Sequence, residues 1–303
     1  MGREGLIKDG SSEGFRRDCV PTWGVRKMRK FIVGLAVVVV FSGVGLRQAA
    51  PVELVSNGDF EGGSYNAGFG HTTNDLAADT VPNSWVRVGT QGGQIDETFW
   101  GYVPENSLIA PVADNGPSAP GSTAMEFLRT GGGSSGDYTM IRQSLDIYTE
   151  QYVSFDLSLD VKALSHDLCG GGSAGGWEYP IAAVIKYEDS GGVSKRAHFG
   201  WYLFTSSGCD ATEDWMWWPS TNTWAKSRQV TQGAWSAWTI DLLDPTLDIA
   251  HITDLQVGGS GWNFESRADN VSILGVIPEP STLLIWSLLA ALGIGWGWWR
   301  RKE

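Results

Sequence analysis

Val153-Ser154-Phe155-Asp156-Leu157-Ser158-Leu159-Asp160-Val161, residues 153–161, sets an apolar side chain at every odd position and Ser or Asp at every even one. Two is the side-chain period of a β-strand, so the stretch predicts one buried face and one wet face. Working outward, Ile181–Tyr187 and Arg196–Phe204 are strand candidates on either side of E-D-S-G-G-V-S-K, residues 188–195. There Gly191-Gly192 can supply the positive φ of a hairpin turn. Trp238, Ile240 and Leu242 alternate with Thr239 and Asp241; Ile252–Val257 and Ala268–Leu274 follow, and Ser84–Val88 and Ala124–Leu128 are shorter candidates. No long amphipathic helix and no internal repeat interrupts them. Forty Gly and sixteen Trp fit frequent turns and aromatic packing. The expectation is an all-β chain whose residues 51–275 form one β-sandwich.

Between Pro51 and Ile277, 10 Lys and Arg stand against 28 Asp and Glu, a net charge of −18. Nucleic acid is an improbable partner for such a body, because binding it needs a cationic face that displaces counterions. An acidic surface suits solvation or a divalent cation. Of three cysteines, Cys19 lies upstream of the expected mature protein, which leaves Cys169 and Cys209. A disulfide between them is the favoured expectation in an exported chain; neither stands in a CxxC or beside a ligand-spaced His.

Both ends of the chain are hydrophobic. Arg26, Lys27, Arg29 and Lys30 precede the apolar run Phe31–Leu46, and Ala49-Ala50 follow, the order of a secretory signal peptide over residues 28–50. Residues 1–27 are then a misassigned start or an extended basic region. Arg47 or Gln48 falls where a cleavage site prefers a small residue, so an uncleaved anchor is the second reading. At the other end, Ser281–Trp299 is free of charge and is followed by Arg300-Arg301-Lys302. Nineteen residues at 1.5 Å rise span roughly a 30 Å hydrocarbon core, which predicts a transmembrane helix over 281–299 with its basic end in the cytoplasm.

Pro278-Glu279-Pro280, that helix and the cluster Arg300-Arg301-Lys302 together resemble the PEP-CTERM sorting signal of Gram-negative bacteria, residues 276–303 here, with Glu303 as a small departure. The resemblance implies an exosortase as partner and cleavage near the motif. It also implies transient anchoring in the inner membrane, then residence at the cell surface or in the extracellular matrix. Because that sorting system is associated with exopolysaccharide production, it further implies a polysaccharide ligand.

The body has its own resemblance. P-V-E-L-V-S-N-G-D-F-E-G-G from Pro51 looks like the opening strand, Val52–Gly62, of jelly-roll carbohydrate-binding modules and other galactose-binding-like domains. S-R-A-D-N-V-S-I-L, Ser266–Leu274, looks like their closing strand, and M-I-R-Q-S-L-D-I (140–147) and Q-G-A-W-S-A-W-T-I-D-L (232–242) fit between. The resemblance implies a jelly roll with a structural calcium, for which Asp59, Glu61 and Asp269 are the matching carboxylates; calcium takes six to eight oxygens.

Trp215, Trp217, Trp218, Trp224, Trp235 and Trp238 fall within 24 residues. Trp238 has an apolar strand phase and Trp235 a core-edge position. Trp215, Trp217 and Trp218 are the candidates for a sugar-stacking platform, against the alternative that they fill space under a loop. Nothing marks a catalytic centre: HExxH and P-loop motifs are absent, no acidic pair is singled out, and His71, His166, His198 and His251 are scattered. His198 alternates with apolar residues and is expected to be half-buried. The function expected is non-catalytic polysaccharide binding. A structural surface protein and a glycan-active enzyme are the alternatives.

Overall fold

A computed structural model gives the placement of residues 50–66, 79–88, 107–114, 116–118, 121, 123–130, 138–167, 178–205, 213–261 and 263–278, with 286, 288–290 and 292. The early strands are β1 (Val52–Glu53), β2 (Ser64–Asn66), β3 (Thr80–Pro82), β4 (Val86–Arg87), β5 (Ser107–Val112) and β6 (Ala124–Arg129). Longer ones follow: β7 (Tyr138–Tyr148), β8 (Ser154–His166), β9 (Ile181–Asp189) and β10 (Ser194–Tyr202). The chain then forms β11 (Met216–Trp218), β12 (Thr223–Gln229), β13 (Ser236–Asp241), β14 (Ile249–Ser260) and β15 (Phe264–Val276).

Two sheets face each other. One runs β13-β8-β15-β6-β5, with β1 added against the end of β15; the other runs β11-β12-β10-β9-β14-β7-β4. β2 and β3 form a small separate ribbon. β12 lies parallel to β10, and the other pairings between described strands are antiparallel.

The alternation in 153–161 holds from Phe155 onward, while Val153, ahead of β8, is 59% exposed. Phe155, Leu157, Leu159 and Val161 are buried between the sheets, opposite Ile181, Ile185 and Phe199 of the other layer. Trp238 of β13 joins the layers, its ring 5.3 Å from Trp201 and 6.1 Å from Phe199, both edge-on. Such pairs add about 1 kcal/mol beyond the area they bury. The expected hairpin is also present, with Gly192 at φ 75° in its turn.

Two elements depart from expectation. The strand expected over Val52–Gly62 ends at Glu53, and the chain then turns with Asn57 at φ 52° and Phe60 at φ 56°. Asn tolerates this left-handed region because its short side chain can bond locally. Here Asn57 Oδ1 accepts from Gly62 N at 2.6 Å, and its Nδ2 donates to Asn83 O at 2.9 Å. Val55 and Phe60 are buried on either side of that turn. The second departure is β9, buried on both faces: Ala182 and Val184 belong to a second apolar cluster with Val88, Met140, Tyr179 and Tyr202, on the side of the sheet away from the core.

The expected signal peptide lies outside the described residues apart from Ala50, as do Cys169 and Cys209. Of the sorting segment, Trp286, Leu288, Leu289, Ala290 and Leu292 are helical and exposed, and among the described residues no helix is long and apolar enough to cross a membrane.

The opening turn meets the closing strand with no room to spare. Val271 N donates to Gly58 O at 2.9 Å, and a Cβ on Gly58 would lie 1.7 Å from Val271 O. That contact is to backbone, which cannot rotate away. Gly58→Ala should destabilise the fold by about 2 kcal/mol or more, read as a lower urea midpoint with an unchanged slope; an unchanged midpoint would show that the two strands can part at no cost.

Candidate functional site

Each sheet has a face turned away from the core, and the two are furnished differently. On the six-stranded sheet, Asp114 is the centre of an ion network. Its Oδ2 accepts from Lys162 Nζ at 2.8 Å and from Arg267 Nη1 at 2.6 Å, and its Oδ1 accepts from Trp235 Nε1 at 3.2 Å. Arg267 also pairs with Glu126 at 2.9 Å. Partial burial pushes the Asp114 carboxyl up, but these hydrogen bonds outweigh it and hold it at about 2.

Next to that network three carboxylates gather. Asp160, at an even position of the alternating stretch, is nevertheless 0% exposed. It accepts from Ser118 N at 2.8 Å, Ser118 Oγ at 2.6 Å and Asn270 Nδ2 at 2.8 Å. Asp269 is 1% exposed and accepts from Gly116 N and Asn270 N, each at 2.7 Å. Glu61 accepts from Thr123 N at 2.7 Å. Burial first, then the charges of Asp160 and Glu61, push the Asp269 carboxyl up to about 6 despite its two backbone donors. Asp59, the remaining expected calcium ligand, is exposed, lines a 440 Å³ groove with Glu53, Ser118, Ser158, Asn270 and Ser272, and accepts from Glu61 N at 3.3 Å. Glu61 and Asp269 are thus electrostatic neighbours, and Asp160 joins them. As placed, their lone pairs meet N–H and O–H donors, and among the described residues no group of three His, Cys, Asp or Glu is arranged as a ready-made metal site.

The tryptophans expected to form a platform divide between the faces of β11. Trp217 packs on Trp224 with centroids 5.0 Å apart, under Lys195 at 5.7 Å. Trp215 meets Phe199 and Trp224 edge-on, and its Nε1 donates to Asp244 at 2.9 Å. Trp218, one residue on in the pleat, points to the other side and packs on the second apolar cluster. His198 lies on that side too, fully buried rather than half-buried. Burial, helped by the charge of Arg196, lowers its imidazole to about 3, so it is neutral at physiological pH.

The outer face of the seven-stranded sheet carries what sequence reasoning did not single out. Direct cross-strand partners line up as Trp218, Thr223, Arg196, Lys186, Asp254 and Ser144, one from each of six adjacent strands. Ser144 Oγ donates to Asp254 at 3.1 Å. At about 4.8 Å per strand the row is about 24 Å long. On one side of it lies the apolar cluster of Val184 and Tyr202; on the other, His251 is stacked on Tyr148, centroids 4.2 Å apart and planes at 7°. The bulge between Ile252 and Asp254 brings His251 and Asp254 to the same face. His251 Nε2 lies 2.8 Å from Asp146 and Nδ1 3.5 Å from Glu188, and Tyr148 is 53% exposed. Aromatic rings, hydroxyls, acids and cations share this face, which is exposed at Ser144, Asp146 and Tyr148 and buried at Thr223, Val184 and Tyr202.

No protein-family model matches the chain, and no curated protein does. Among solved structures it is similar to the family 11 carbohydrate-binding module from Clostridium thermocellum in complex with a β-1,3-1,4-mixed-linked tetrasaccharide. The identity is 13%, over 76% of this chain and 99% of that one, with a TM-score of 0.34. A cyclase from Fischerella sp. TAU in complex with 4-(1H-indol-3-yl)butan-2-one is 14% identical over 75% of this chain and 98% of that one, with a TM-score of 0.37. The enzymatically active domain of tailspike protein 4 of bacteriophage CBA120 is 14% identical over 75% of this chain, which spans 22% of it, with a TM-score of 0.34. At these scores none of the three carries a function across. The β-sandwich stands on its own strand pairing.

The raised Asp269 carboxyl has a sign that can be checked. Its ordinary value is 3.8 and its folded value about 6, so the native state holds the proton more tightly. Its contribution to stability is therefore complete below about pH 4 and lost as pH rises to 6, by about 3 kcal/mol at most. In chelator, wild type should lose stability relative to Asp269→Asn across that window in urea titrations. A constant difference between the two would show that Asp269 ionises normally.

Proposed function

We propose that this protein is an exported, non-catalytic polysaccharide-binding module of jelly-roll type, whose binding surface is the outer face of the seven-stranded sheet. The observation that carries this is the pairing of aromatic and hydrogen-bonding groups on that face. A pyranose presents CH groups on one side and hydroxyls around its rim. Trp218 and Tyr148 offer rings to the first, and Ser144, Asp254, Lys186 and Arg196 offer donors and acceptors to the second. The N-terminal basic-apolar segment and the Pro278-Glu279-Pro280 signal support export, with an exosortase as partner and the cell surface or extracellular matrix as destination.

Tyr148→Ala and Trp218→Ala should each weaken binding of the full chain to its polysaccharide about three- to tenfold, read by affinity electrophoresis against a panel of polysaccharides. Trp215→Ala, on the core side of β11, should act on stability instead. Retention of full affinity by both of the first two variants would remove this face as the binding surface.

Calcium belongs to the same proposal. The charges of Asp160 and Glu61 that raise the Asp269 carboxyl are what a divalent cation would relieve. A cation that binds only the folded state adds about 2.7 kcal/mol at ~100 times its dissociation constant. The full chain, stripped of metal, should melt higher in calcium than in chelator, and Glu61→Gln or Asp269→Asn should remove most of the gap. Magnesium should substitute poorly because it demands a tighter octahedral shell. Coincident melting curves in calcium and chelator would dismiss the ion.

A further inference from the structure

β14 breaks its register against β9 twice in a short span, between Ile249 and His251 and between Ile252 and Asp254, whereas β9 and β10 pair without a shift. Strict alternation would turn Ile249 and His251 to the same side. The first shift lets Ile249 and Ile252 both be buried while His251 faces outward. There His251 stands in direct register between Tyr148 of β7 and Glu188 of β9, and Asp146 precedes Tyr148 by one pleat on the same face. The imidazole lies flat on the Tyr148 ring, 4.2 Å between centroids and 7° between planes. Its two nitrogens are each met by a carboxylate, Nε2 by Asp146 at 2.8 Å and Nδ1 by Glu188 at 3.5 Å. The end of β7 is fixed as well, since Thr149 Oγ1 donates to Ile249 O at 2.6 Å.

We infer that His251 is the positioning residue of this surface: it backs the Tyr148 ring and holds it in one orientation, so that a sugar stacks on the ring's other face. The inference rests on the polysaccharide proposal above, which leaves His251 without a role. Tyr148 is 53% exposed, and a side chain that open would sample several rotamers and lose that freedom on binding. A ring held beforehand has less to lose. Imidazole suits the task because it is flat enough to stack and is pinned at two edges, where a purely apolar ring could turn. Asp146 and Glu188 act through His251 in this arrangement. With one side of Tyr148 covered, the sugar chain lies across the ring and is not wedged between two.

The test measures the full chain by affinity electrophoresis against mixed-linkage β-glucan, xylan and alginate, and follows whichever the wild type retains. His251→Gln, which keeps a polar side chain but no ring, should weaken binding about three- to tenfold, as Tyr148→Ala does. His251→Phe, which restores the ring, should recover most of that loss. Asp146→Ala, at a side chain 83% exposed and so remote from the core, should cost about twofold. Tyr148→Ala combined with His251→Gln should bind no more weakly than Tyr148→Ala alone, because His251 then has no ring to hold. His251→Gln binding like wild type overturns the positioning role and leaves Tyr148 as a binding residue. Losses that add in the double variant, or a loss in His251→Phe as large as in His251→Gln, overturn it too, since His251 would then touch the sugar itself. Melting curves report whether each variant is folded. Should His251→Gln unfold, Asp146→Ala decides, and its binding like wild type overturns the inference. A wild type that binds none of the three overturns this inference together with the proposal it rests on.

Discussion

The irregularity in β15 at Asp269–Asn270 is the joint on which the sandwich is assembled. Asn270 takes φ 51° there, and the register against β8 shifts between Asp269 and Ser272. A bulge of this kind frees one residue from the ladder and bends the strand. The freed groups are then used by segments from distant parts of the chain. Val271 N reaches Gly58 in the opening turn, Asn270 Nδ2 reaches Asp160 on β8, and Asp269 receives Gly116. Glu53 fixes the register beyond it, its Oε1 accepting from Leu54, Val55 and Ile273. Glycine is required at both close approaches, since a Cβ on Gly116 would sit 2.3 Å from Asp160 Oδ2, as one on Gly58 would strike Val271. Without that irregularity the opening turn and the segment after β5 would have nothing to dock against.

The two outer faces follow from this assembly. On the six-stranded sheet the docked residues Asp114, Gly116 and Ser118 use up the polar groups of β8 and β15, so that Asp160 and Asp269 become buried although their strand positions face outward. That side is committed to holding the chain together. On the seven-stranded sheet a comparable polar row, running from Thr223 to Ser144, lies between an apolar cluster and the Tyr148–His251 stack. On the six-stranded side, Lys162 and Arg267 are held by Asp114.

Legibility in the sequence tracked how local each signal was. The alternation of 153–161 could be read because alternate side chains met contrasting surroundings, and the Gly191-Gly192 turn because its geometry is set by adjacent residues. Ile181–Ile185 read as a strand but not as one buried twice over, since I-A-A-V-I shows no period from which a second layer could be inferred. Asn57 and Phe60 turned a segment that resemblance to a jelly-roll opening strand marked as strand, with Asn57 bonding to Asn83 and Gly62 in a way that no local pattern encodes. The tryptophans stood out by number, yet which face each takes depends on the phase of a three-residue strand. Lys186 and Arg196 face each other across the hairpin, but Asp254 is far from both in sequence and none of the three carries a motif; only the register of three strands makes them neighbours.

The chain leaves the sandwich from the middle of a sheet. β15 is flanked by β8 along its length and by β6 and then β1 on its other side, and residues after Ile277 continue directly from it. A pull transmitted through those residues therefore enters along the axis of a strand bonded on both edges. Such a strand cannot be peeled away one hydrogen bond at a time, as a terminal edge strand can. It must slide against both neighbours at once, so many bonds share the load in shear. Any load applied there is resisted by the whole strand at once.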